Sequence, residues 1–155
     1  MNIKQQKQIK AFLIEEFGKD RGSVLFDEQE KVLNTIIKNT KNKSKNQMKT
    51  LINTILPRIA LYKVLSKTGF TEDVVYEHMR KYMLDKVAAK KHASTAKMEL
   101  IPGFYALYSN ITLKIMRTTD LQESKQTHGK NYFNLTIKKC LWHNACVENG
   151  CAELC

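Results

Sequence analysis

The chain has 155 residues, 43% of them hydrophobic and 26% charged, with 26 basic against 15 acidic side chains and a net charge of +11. That apolar share excludes a wholly disordered chain, and only six glycines and two prolines exclude collagen-like or linker character and disfavour a turn-rich β-sandwich. The length fits one domain, 1–155, with enough apolar mass to bury a real core.

Ile9, Phe12, Leu13 and Phe17 recur at helical spacing, so a helix is expected over residues 3–17, with Gly18 as its stop. A second helix is expected from Ser23 to Lys38, with Val24, Leu25, Val32, Leu33, Ile36 and Ile37 turned inward. The polar, lysine-rich stretch 39–46 lacks apolar periodicity and reads as a loop. It closes an N-terminal part, 1–46, and separates it from 47–155.

Residues 47–67 form the most apolar stretch and read as a core helix, which Pro57 either kinks or restarts. Thr71 has the character of an N-cap, with Glu72 and Asp73 in the electropositive first turn. The helix it opens carries Val75, Tyr76, Met79, Tyr82, Met83 and Val87, and turns basic at Lys86, Lys90 and Lys91. Pro102-Gly103 breaks the chain. Phe104, Leu107, Tyr108, Ile111 and Ile115 then draw a helical stripe, although 111–115 also alternates as a strand would. Residues 118–130 read as a polar loop. Phe133, Leu135 and Ile137 alternate with polar residues, which predicts a short half-buried strand over 131–138. The fold class expected is mostly α (α+β): a helical domain with a small β element near the C-terminus.

A basic excess fits nucleic acid, an anionic membrane surface or acidic ligands. Only Arg21, Arg58, Arg80 and Arg117 are arginine, however, and arginine is the residue that grips phosphate bidentately and reads bases. A nucleic-acid partner is therefore the lesser alternative. No apolar core of signal-peptide length follows the basic start and no window approaches 18 apolar residues, so a cytoplasmic protein with free thiols is expected.

All four cysteines fall in the last 16 residues, at Cys140, Cys146, Cys151 and Cys155. The spacing contains no paired CxxC knuckle, so neither a metal nor a cofactor is assigned. A buried thiol that merely packs is the plain alternative for each. The stretch from Asn131 leads as a strand into Cys140-Leu141-Trp142, then through His143 to Gly150-Cys151-Ala152-Glu153-Leu154. Upstream lie Leu56-Pro57-Arg58-Ile59-Ala60-Leu61-Tyr62, the Thr71-Glu72-Asp73 helix start and Ile101-Pro102-Gly103-Phe104-Tyr105. Together these resemble the L-2-amino-thiazoline-4-carboxylic acid hydrolase family over roughly residues 50–155. In that family a strand enters Cys-Leu-aromatic, and a short helix then leads to Gly-Cys-Pro-Glu-Leu. Ala152 stands where the family has proline, and 118–130 lacks its Gly-Trp element. The family pattern runs on past Glu-Leu, so the chain is expected to be a C-terminally truncated member.

The resemblance implies a small-molecule substrate: an aminothiazoline ring opened to a carbamoyl-cysteine. That reaction needs a nucleophile at the amidine-like carbon, a proton for nitrogen and a route for the leaving thiolate. Cys140, where a strand gives way to a helix with exposed N–H groups, is the expected nucleophile. His143, three residues on, is the expected base, and Glu153 is expected to activate water or hold the amidinium. Trp142, Cys151, Lys139 and Arg117 are the substrate-binding candidates, the two cations for the carboxylate. A non-catalytic binding relative remains the rival class.

Overall fold

The computed structural model describes residues 4–96, 98, 100–128 and 132–155; Ile3 and Asn131, ends of two expected elements, lie outside them. Helix α1 (Lys4–Phe17) stops at Gly18, whose φ of 79° lets α2 (Lys19–Asn39) start at once. The second helix thus begins four residues earlier than its apolar pattern. The two helices touch closely where Gly22 faces α1. A Cβ there would lie 2.5 Å from the Leu13 carbonyl oxygen, so only glycine fits the crossing.

After a short loop, Ser44 caps α3 (Lys45–Thr50) through a capping box with Gln47. A π-helical turn, Leu51–Ile55, joins α3 to α4 (Leu56–Leu65). Its cause is Pro57, which has no N–H for the carbonyl one turn back and crowds it. The chain absorbs the clash by widening, with the Leu56 N–H donating to Leu51. The helix is continuous, neither sharply broken nor restarted. Leu56 to Tyr62 are all buried, and α4 is the central helix, packed against α2.

Helix α5 (Glu72–Tyr82) starts at Thr71 as expected, though the Thr71 side chain makes no capping bond. It runs through a second π segment, Met83–Ala88, into α6 (Ala89–Thr95). Phe12 of α1 meets Tyr82 edge-on, with ring centroids 5.4 Å apart. Gln29, fully buried on α2, donates to Gln6 of α1 and to the Pro57 carbonyl of α4, tying three helices with satisfied polar groups.

Gly103 sits in the left-handed region before α7 (Phe104–Thr118), so the ambiguous 111–115 stretch is helix. Its stripe is only half used: Phe104 is buried, whereas Leu107, Ile111 and Ile115 are exposed. The expected loop at 118–130 is a correction. It contains β1 (Gln122–His128), antiparallel to β2 (Phe133–Cys140), with Gln122 opposite Cys140. Gln-Glu-Ser-Lys-Gln-Thr-His has no apolar alternation to announce a strand, and backbone pairing to β2 makes it one. The strand expected to be half-buried also proves open, with Leu135 and Ile137 exposed.

Helix α8 (Leu141–Glu148) follows β2 directly, and a 3₁₀ turn, Ala152–Leu154, closes the chain. Leu141, Ala145, Cys146 and Cys151 join the same core as Ile9 and Leu61. The chain is mostly α with a small β element near the C-terminus, as expected, and that element is a two-stranded antiparallel sheet where a single strand was expected. Among the described residues, no helix is long and apolar enough to cross a membrane.

Candidate functional site

Arg58 and Tyr62 are one turn apart on α4, so they share a face. That face meets the C-terminal segment. The Arg58 guanidinium lies 5.1 Å over the Trp142 ring of α8, and the Tyr62 hydroxyl donates to Glu153 Oε1 at 2.8 Å. Helix α5 supplies another wall through Tyr76, Glu77, Met79 and Arg80, continued by Met83 of the π segment that follows. The result is a cavity of about 370 Å³, closed at its C-terminal edge by Leu154 and Cys155. Its size is that of a small-molecule pocket.

Two charged groups of this cavity, Arg58 and Glu153, are held in place, whereas Arg80 and Glu77 on its wall are exposed. Arg58 is 9% exposed, in the interior of an apolar helix. With its amide oriented to satisfy both ends, Gln5 accepts from Arg58 Nη2 at 2.7 Å and Nε at 2.9 Å and donates to the Thr54 carbonyl at 2.8 Å. No carboxylate among the described residues lies within ion-pair distance of Arg58. Burial pulls Arg58 down from its ordinary value, and its guanidinium stays charged at neutral pH. The buried Tyr82 hydroxyl is pushed up to about 12 by burial, with the neighbouring Arg58 opposing the rise.

Glu153 is exposed to the cavity. Its own backbone N–H, and after it the Tyr62 hydroxyl, hold the carboxyl below the ordinary carboxylate range. Tyr62 is raised, first by burial and then by that bond to Glu153. The Tyr62 and Tyr76 rings lie 6.0 Å apart, so Tyr76 extends the aromatic wall towards Glu153.

The four cysteines are all thiols, in two settings. Cys146 and Cys151 belong to the stop signal of α8. The Cys151 N–H bonds to the Cys146 carbonyl and the Gly150 N–H to the Val147 carbonyl, with Gly150 at φ 66°. This is a Schellman motif, and the two fully buried thiols are the apolar contact that accompanies it. Burial pushes Cys146 up to about 12 and raises Cys151 as well. Cys140 is half-buried at the N-cap of α8, and Cys155 lines the cavity. Burial raises the Cys155 thiol, with Cys140 close enough to add to the rise.

Of the residues expected to form a site, the cavity therefore gathers Trp142 and Glu153; Cys140 does not line it, though it lies close enough to Cys155, which does, to raise that thiol. His143 is exposed on α8 and does not line the cavity. Cys151 is in the core. Lys139 Nζ lies 3.8 Å from Asp120 Oδ1, and Arg117 Nη1 donates to the Ser124 carbonyl at 3.4 Å, so both cations are engaged at the hairpin. Among the described residues, no three histidine, cysteine or acidic side chains group as metal ligands. Sequence reasoning missed Arg58, Tyr62 and Tyr76. The signal for Arg58 was present: an arginine inside the most apolar run of the chain.

The sequence model described as L-2-amino-thiazoline-4-carboxylic acid hydrolase matches residues 45–155, from the first residue of α3 to the last thiol. No curated protein and no solved structure matches the chain.

Proposed function

The chain belongs to the L-2-amino-thiazoline-4-carboxylic acid hydrolase family, and from that membership we propose that it opens the ring of a 2-amino-thiazoline-4-carboxylate to an N-carbamoyl-cysteine. One observation carries the reading. The two stretches that resemble the family, around Arg58-Tyr62 and around Trp142-Glu153, converge on one cavity of small-molecule size.

The chemistry follows from the groups at hand. The ring carbon between sulfur and the two nitrogens is electrophilic when its amidine is protonated. Glu153, an anion on the cavity wall, stabilises that cation. Cys140, which neighbours the cavity-lining Cys155, adds to this carbon as the thiolate, its proton going to His143, which is exposed on α8 outside the cavity lining. The carbon–sulfur bond of the ring breaks, and the departing sulfur takes a proton to become the thiol of the product. Water then adds to the same carbon, the Cys140 sulfur leaves, and the carbon ends as the carbonyl of a urea. Net, one water is consumed. Trp142 offers a flat face to the ring. A cytoplasmic setting, which keeps thiols reduced, suits a mechanism that both uses and releases a thiolate.

The test is turnover of L-2-amino-thiazoline-4-carboxylate by the full chain, followed by release of the new thiol and by mass. Appearance of N-carbamoyl-cysteine at a rate proportional to protein supports the reading. Unchanged substrate at saturating concentration overturns it.

A further inference from the structure

We infer that Arg58, seated on Trp142, is the carboxylate-binding cation of the cavity, and that with Glu153 it selects small ligands carrying a carboxylate and a cationic nitrogen together. The inference deepens the hydrolase reading and rests on it for the identity of the ligand, but not for the recognition itself.

A guanidinium removed from water is costly unless something offsets its charge. Arg58 is nearly buried, yet no carboxylate among the described residues pairs with it; its neighbours are a neutral amide, an indole face and the Tyr82 hydroxyl. Gln5 occupies Nη2 and Nε and so fixes the plane of the fork, and Gln5 is itself anchored to Thr54. The Trp142 ring, 5.1 Å from the guanidinium carbon, covers Arg58 from one side. A cation that is oriented, desolvated and without a counter-ion, on the wall of an open cavity, is arranged for an anion that arrives from outside. Bidentate geometry favours a carboxylate.

The opposite sign is supplied close by. Tyr62, one turn along α4 from Arg58, holds Glu153 as an anion in the same cavity. A buried cation and an anion held by Tyr62, on the wall of one cavity, match a small zwitterion better than a simple acid or a simple base. Lys139 and Arg117 are engaged at the hairpin and do not line the cavity, and Arg80, which does line it, is exposed to water and lies 3.7 Å from the Glu77 carboxylate.

Trp142 is the single tryptophan of the chain, so its fluorescence reports directly on this site. The experiment titrates the full chain with L-thiazolidine-4-carboxylate, a cyclic amino acid whose carbon between sulfur and nitrogen is a methylene and not an amidine, and with its carboxamide. The acid should shift Trp142 emission saturably, and the carboxamide should bind about 10-fold to 100-fold more weakly. Arg58→Gln should abolish the difference, and Arg58→Lys should retain a part of it, because charge survives and the fork does not. Circular dichroism and melting temperature establish that each variant is folded. Equal affinity of the unmutated chain for acid and carboxamide overturns the inference without any variant. Undiminished discrimination in folded Arg58→Gln overturns it too. Because the probe is not hydrolysed, a chain that discriminates the acid but turns over no aminothiazoline leaves Arg58 standing and removes only the hydrolase reading.

Discussion

The Tyr62 hydroxyl donates to Glu153 across 91 residues of chain, joining the central helix to the final 3₁₀ turn. Glu153 lies in a turn of three residues and has little else to define its direction. Tyr62 is buried in α4, and so it sets where the carboxylate stands in the cavity.

Tyr62→Phe should therefore lower kcat while changing the fold little. The pH profile separates this from a packing effect. Glu153 is held below the ordinary carboxylate range, and Tyr62 is one of the causes. Such a group is ionised above its folded pKa and loses its charge as pH falls through that value. Removing the hydroxyl raises the folded pKa, so the acid limb of the rate profile should move to higher pH. An acid limb that stays in place, with kcat unchanged, would show that Glu153 does not act in the rate.

Cys140→Ala and Cys146→Ala should separate chemistry from packing. Cys140 stands at the start of α8 beside the cavity edge; Cys146 is sealed in the Schellman contact. Loss of a nucleophile costs several orders of magnitude in rate. Loss of a buried sulfur costs about 1 kcal/mol of stability and leaves the rate per folded molecule unchanged. The expected pattern is a dead but stable Cys140→Ala and an active but less stable Cys146→Ala. Comparing turnover with melting temperature in the two variants checks it.

The helices were legible because apolar residues mark them at a period that survives in one sequence. Ile9, Phe12 and Leu13 are buried as their spacing implies, and Gly18 stops α1. Strand β1 was not legible, because its seven residues carry no apolar alternation and depend on pairing to a distant segment. The exposed face of α7 shows the converse: Leu107, Ile111 and Ile115 have the spacing of a core face and are exposed. Within the site, Trp142 and Glu153 could be found from the C-terminal motif. Arg58 and Tyr62 lie 80 or more positions away in sequence, and only the packing of α4 against the C-terminal segment brings them there. The role of Cys151 was equally hidden, since a Gly-Cys pair is the same letters whether it caps a helix or touches a ligand.

Alkaline pH should destabilise the fold through the buried thiols. Cys146 is pushed up to about 12, and Cys151 and Cys155 are also raised, each chiefly by burial. An unfolded cysteine ionises near pH 8.5. For a group whose folded pKa is raised, the stabilising contribution is complete below the unfolded value and is lost as pH rises through the folded one. The melting temperature should thus fall between about pH 9 and pH 11, and Cys146→Ala should flatten that fall. Under native conditions a thiol reagent should modify Cys140 and Cys155 first, with Cys146 and Cys151 reacting only after unfolding. Rapid labelling of all four in the native protein would contradict the burial on which the argument depends.

Gly22→Ala tests how α1 and α2 meet. On an exposed helix, replacing glycine by alanine stabilises by about 1 kcal/mol, because the unfolded chain loses freedom and propensity improves. At Gly22 the new methyl group would lie 2.5 Å from the Leu13 carbonyl oxygen and 2.7 Å from the Ile14 Cα, both backbone atoms that no side-chain rotation moves aside. The helices must separate, and overpacking of this kind costs about 1–3 kcal/mol. Separation also strains the Gln6–Gln29 pair, which spans the same two helices. The sign of the change is therefore opposite to the propensity rule: the melting temperature should fall by several degrees. A melting temperature that rises instead would mean that α1 and α2 do not cross at Gly22.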